Sequence, residues 1–156
     1  MRNNWLVSAL AASLLLMSCE KNPTGPASVK DLLVDKNWKW ISATINPGIN
    51  VSGVVVTDWY AQMGQCAKDG TTRFSANGTY TDDEGPTKCD PADPQTVSGT
   101  WVLNPGETIL TMTVTGGAPQ SSDIESLTAT SAVLSITTSN WSDGLSRKMT
   151  IGLTAY

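Results

Sequence analysis

The sequence predicts an all-β fold: an eight-stranded antiparallel up-and-down barrel, with a short N-terminal helix and a helical turn in its first crossover. β-Branched and aromatic residues recur in eight short runs bounded by turn residues. Most connections between runs are short enough to be hairpins. Apolar and hydroxyl-bearing side chains alternate along the runs, the period of a strand with one wet face. A meander of this size removes its free edges by closing on itself, and its interior is filled by side chains or holds one small ligand.

In chain order, Ser28 to Lys36 is predicted helical, with Ser28 and Asp31 as a capping box and Val29, Leu32 and Leu33 on one face. The predicted strands are Trp38 to Ile45, Thr71 to Ser75, Thr79 to Asp83, Val97 to Leu103, Thr108 to Thr115, Ser122 to Thr128, Ala132 to Thr138 and Arg147 to Ala155. Asn77-Gly78 and Asn104-Pro105-Gly106 read as tight turns, and Gly116-Gly117-Ala118-Pro119 and Ser139 to Gly144 as longer ones. Asn46 to Gly70 reads as a long crossover with a helical turn from Asp58 to Gln65. Val97, Gly99, Trp101 and Leu103 share one face, as do Leu110, Met112 and Val114, then Leu134 and Ile136, then Met149, Ile151 and Leu153. Ser98, Thr100, Thr111, Thr113, Val133, Ser135, Lys148 and Thr150 take the other face. A transmembrane barrel also alternates, but on strands near ten residues long with aromatic girdles. These runs are shorter, so the apolar face points inward.

The N-terminus carries a different signal. Met1 to Asn4 supplies a positive start, and Trp5 to Met17 an apolar run too short to remain as a membrane span, which together read as a cleaved signal. Leu16-Met17-Ser18-Cys19 resembles the lipobox of bacterial lipoproteins, which implies cleavage before Cys19 and acylation of its thiol and new amino group. Several acyl chains on one residue meet the condition for stable anchoring. The resemblance divides the chain into a signal (1–18), a lipidated tether (19–27, with Pro23, Gly25 and Pro26) and a β-barrel domain (28–156). Glu20 follows the cysteine, not the aspartate that retains lipoproteins in the inner membrane of enteric bacteria, which favours the outer membrane.

The remaining chemistry is sparse. The formal net charge is −4, and no Lys/Arg cluster is interleaved with aromatics, so nucleic-acid binding has no electrostatic footing. The chain has no histidine, which removes Ser-His-Asp and Cys-His catalysis, and no Gly-rich loop opens a helix as phosphate binding requires. Nothing in the sequence implies a cofactor. Of three cysteines, lipid on Cys19 leaves Cys66 and Cys89 as the one intrachain pair. Their spacing is not Cys-x-x-Cys, so a structural disulfide is expected, restricting the unfolded chain by about 3 kcal/mol. Asp82-Asp83-Glu84, with Asp90 and Asp93, supplies carboxylates of the kind used in glycoside hydrolysis or calcium binding. They stand at a strand end and in a Pro/Gly loop, where solvated acids are the common case.

Trp101, with Trp38 or Trp40, is expected to plug one end of the barrel. Trp59 and Trp141 fall in connections, where large aromatics are seldom needed, and are expected to form a lid or partner rim or to cover the mouth. The candidate ligand-lining residues are Trp40, Trp59, Trp101, Leu110, Met112, Leu134, Ile136, Trp141, Met149 and Ile151.

Asn37-Trp38-Lys39-Trp40, Cys66-Ala67-Lys68-Asp69, Arg73 to Tyr80, Cys89 and Ser98 to Leu103, in that order after a short helix, resemble the lipocalin-like domain of small lipoproteins from Bacteroidetes-type bacteria. Lipocalins proper open with Gly-x-Trp; here Lys36 stands at the glycine and Trp38 at the tryptophan. The resemblance implies the fold and a lipoprotein setting, and names no substrate. Two functions follow. One is an envelope-anchored barrel that binds a small apolar or amphipathic molecule, or a glycan fragment at its rim. The other is a structural protein with a filled barrel that docks to an envelope partner. An interior cavity distinguishes them.

Overall fold

Antiparallel pairing runs around the whole sheet in the computed structural model, which describes residues 27–139, 141 and 143–156. The strands are β1 (Asn37–Val51), β2 (Val54–Asp58), β3 (Thr71–Phe74), β4 (Thr79–Asp83), β5 (Thr96–Leu103), β6 (Ile109–Val114), β7 (Pro119–Leu127), β8 (Ser131–Thr138) and β9 (Arg147–Ala155). β3 to β9 pair in sequence order; β1 pairs with β9 from Trp38 to Asn46 and with β3 at Asn37 and Trp38. Those contacts close a barrel of eight strands, and β2 lies outside it on the far half of β1.

The long crossover expected from Asn46 to Gly70 is thus partly a hairpin. β1 continues to Val51 and turns back through Ser52 and Gly53, both at positive φ (53° and 89°), into the valines of β2. The two-residue turn matches the twist of its flanking strands. The expected helical turn is present as α2 (Trp59–Gln62), capped by Asp58 Oδ1, which accepts from Ala61 N at 2.9 Å. A 3-10 turn, Gln65–Ala67, follows.

One end of the barrel is packed. Helix α1 (Val29–Leu33) carries the expected capping box: Ser28 Oγ accepts from Asp31 N, and the Asp31 carboxylate accepts from Ser28 N. The helix ends three residues before Lys36 because the chain reverses at Asp35, which takes φ 61°. Leu33 drops onto Trp38, whose Nε1 donates to the Leu33 carbonyl at 2.8 Å, and neither side chain keeps appreciable exposure. Phe74 meets Trp101 edge-on at 5.7 Å, and Trp101 Nε1 donates to the Ser75 carbonyl. Trp38, not Trp40, is therefore the β1 tryptophan of the plug.

Alternation holds along β5, where Gly99 and Trp101 are buried between exposed Ser98, Thr100 and Val102. β1 interrupts it with a bulge between Trp40 and Ser42 that leaves Ile41 exposed and turns Ala43 and Ile45 inward. Ser135 alternates outward between the cavity-lining Leu134 and Ile136, as expected, but is buried there beneath the Glu125 carboxylate to which it donates at 2.6 Å.

Candidate functional site

The other end of the barrel is open. Above the aromatic plug lies a cavity of about 480 Å³, within the range of small-molecule sites. Phe74, Tyr80, Ile151 and Leu153 line its inner part, and Trp40, Met112, Leu134 and Ile136 its sides. Its mouth is framed by Gly70, Glu84, Ala118, Gln120 and the disulfide between Cys66 and Cys89, whose Cα atoms are 5.1 Å apart. That disulfide joins the 3-10 turn before β3 to the loop after β4, so it ties together two connections at the mouth.

Of the residues nominated from sequence, Trp40, Met112, Leu134, Ile136 and Ile151 line this cavity. The others lie elsewhere. Trp101 and Leu110 belong to the packed core, and Met149 packs against it. Trp59, at the start of α2, is half-buried and does not reach the cavity walls. Trp141 lies beneath the Arg147 guanidinium, 5.4 Å from its ring centre, so a cation and not a ligand occupies its face. Cys19 lies outside the described residues.

Sequence reasoning missed the polar part of the walls. Asp82 was expected to be a solvated acid at a strand end. It stands two residues beyond buried Tyr80 on β4 and so shares its inward face; both line the cavity. Thr72, its cross-strand partner on β3, donates to Asp82 Oδ1 at 2.5 Å. Burial raises the Asp82 pKa above the ordinary carboxylate value, and the Thr72 hydroxyl opposes that shift. Tyr80 is also raised, by its own burial first and by the Asp82 charge second. The missed signal was the strand period carried one step further, because Tyr80 and Asp82 are spaced like any inward pair. Ser122 and Gln120 on β7 add neutral polar groups opposite. Among the described residues, no cluster of acids and cysteines has the geometry to hold a metal ion.

The family model described as a lipocalin-like domain matches residues 34–134, more than half of the chain. That span runs from the end of α1 into β8 and includes most of the cavity-lining strands. No curated protein matches the chain. With a closed eight-stranded antiparallel barrel, a short helix at its packed end and a family model across the same strands, the chain belongs to the lipocalin-like domain family.

Proposed function

We propose that this protein is a lipid-anchored component of a bacterial cell envelope that binds a small apolar or amphipathic molecule inside its barrel and performs no catalysis on it. The observation that carries the reading is the cavity: aromatics pack one end of the barrel, while toward the other end about 480 Å³ is left open and lined mainly by apolar side chains. A barrel serving only as a structural spacer gains nothing from leaving apolar walls unpacked, because each unfilled methylene position forfeits contact energy. The alternative reading, a filled barrel that docks to an envelope partner, lacks that support. Anchoring rests on Ser18-Cys19 and the apolar run before it, and the outer membrane on Glu20. A glycan fragment at the rim remains within the reading, since Gln120 and Glu84 offer hydrogen-bonding groups there.

Two experiments test it. Purified protein should bind the neutral fluorophore N-phenyl-1-naphthylamine with one-to-one saturation, and Trp40 emission should be quenched as it does. Met112→Trp, which adds bulk to a cavity wall, should abolish binding with little change in thermal midpoint. In a filled interior the same substitution overpacks and costs about 1–3 kcal/mol. Absence of saturable binding, together with strong destabilisation by Met112→Trp, overturns the binding reading. For the anchor, Cys19→Ser should move the protein from the membrane to the soluble fraction, and an unmodified N-terminus by intact mass refutes lipidation.

A further inference from the structure

We propose that the barrel selects amphiphiles whose head is a protonated amine, with Asp82 holding the ammonium group at the neck of the cavity and the apolar tail descending onto Tyr80 and Phe74. This rests on the cavity being the ligand site. Among the described residues, the charged ones on its walls are Asp82, Asp83 and Glu84, all acidic, and no lysine or arginine joins them. The three acids are not equivalent. Asp83 Oδ1 accepts from Gly85 N at 2.8 Å and from Gln95 Nε2 at 3.1 Å, and Glu84 Oε2 accepts from Cys89 N, so both serve the loop after β4. Asp82 has the Thr72 hydroxyl on one oxygen, and no cation pairs with it among the described residues.

A carboxylate turned into an apolar cavity loses hydration that a single neutral hydroxyl does not replace. Burial raises its pKa accordingly. An ammonium group restores the balance, since it brings the opposite charge and up to three donors to an acceptor-only partner. A carboxylate head, by contrast, would face Asp82, Asp83 and Glu84 with no cationic clamp. An alcohol head can donate one hydrogen bond and leaves the charge uncompensated. The position of Asp82 also fits the head-and-tail order. It lies between Tyr80, deeper on the same strand face, and Glu84 at the mouth, so a ligand entering tail first brings its head level with the acid.

The test is a matched series with one tail and three heads: dodecylamine, dodecanol and dodecanoate, each below its micelle concentration, displacing N-phenyl-1-naphthylamine from purified protein near neutral pH. The amine should bind about tenfold or more tightly than the alcohol, the scale of a charge-assisted hydrogen bond, and dodecanoate should bind most weakly. Asp82→Asn, which keeps the shape, should remove the amine's advantage while leaving the alcohol's affinity within about twofold. It should also raise the thermal midpoint of the empty protein, because a penalised charge has gone. Dodecanoate binding as tightly as the amine overturns the proposal, and so does an amine preference that survives Asp82→Asn. The wild-type series decides the matter even if the variant does not fold. If none of the three displaces the fluorophore although the fluorophore itself saturates, the amine assignment fails alone. If the fluorophore does not bind either, the cavity reading fails with it.

Discussion

Arg147 shows how one residue can redirect the reading of another. It stands at the first position of β9, almost fully buried, where Nε donates to the Pro47 carbonyl at 3.1 Å and the two terminal nitrogens bind the Asp143 carboxylate. Its flat face covers Trp141. A tryptophan in a loop invites a functional reading, yet here it packs under the cation that pins the β8–β9 connection to β1 just beyond its pairing with β9. Periodicity could not foresee the pairing, because the described residues between them, Asp143 to Ser146, form neither helix nor strand. Asp143 is held at about 2, below the ordinary 3.8, chiefly by the Arg147 hydrogen bonds and then by Leu145 N–H. A depressed carboxylate stabilises the fold above its unfolded pKa, and the contribution is lost as pH falls through the folded value. Asp143→Asn should therefore lower the thermal midpoint at neutral pH. The gap from wild type should hold down to about pH 4 and close as pH approaches about 2. A gap unchanged at the acid end would mean that the carboxylate's charge is not what pins the loop.

At the scale of elements, alternation was the most legible feature. β4 and β9 have the bounds that the sequence predicts, and the other predicted strands differ by at most three residues at either end, except β1, whose far half and partner β2 fall in the expected crossover. The exception has a physical cause. Asn46 to Asp58 contains Pro47, Gly48 and Gly53, residues that usually end strands, so the valines around Ser52-Gly53 were read as part of a connection. Gly48 is needed there because a Cβ would come within 2.7 Å of the Val55 side chain on the facing strand. The cavity was less legible than the barrel, since which end stays empty depends on the sizes of side chains from many strands. Gly99 illustrates this dependence. A Cβ at this buried position on β5 would lie 2.2 Å from the Thr113 carbonyl oxygen and 2.5 Å from Tyr80 Cε1, and backbone cannot yield as a flexible side chain can. Gly99→Ala should cost about 1–3 kcal/mol or more, read as a lower urea midpoint. Gly53→Ala, strained by its positive φ but meeting no neighbour within 4 Å, should cost less. Equal losses would show that the close approach of β5 and β6 at Gly99 relaxes freely.

Across the whole molecule, the two ends of the barrel have separate tasks, and the chain enters at the packed one. α1 seats Leu33 on Trp38, and Asp35 N donates to the Phe74 carbonyl, so the described N-terminal residues belong to the end opposite the cavity mouth. With lipid on Cys19, as proposed, the link from Cys19 to Ser28 reaches at most about 30 Å when fully extended. That is close to the length of an eight-residue strand such as β5, about 26 Å. Under that proposal the packed end is the end tied to the bilayer, and the mouth, with its disulfide and acidic neck, is expected to open toward the aqueous side. A ligand would enter from water or from a partner docked there, without the protein leaving its membrane. The geometry can be measured by energy transfer from a single fluorophore to acceptor-labelled lipids in vesicles carrying the lipidated protein. Ala76→Cys places the fluorophore in the exposed β3–β4 turn at the packed end, and Ala118→Cys places it at the mouth; Cys66 and Cys89 are already paired and do not react. Transfer should be clearly greater from position 76 than from position 118. Equal transfer would mean that the tether lets the barrel tumble, and greater transfer from position 118 would place the mouth against the membrane, making the bilayer itself the source of the ligand.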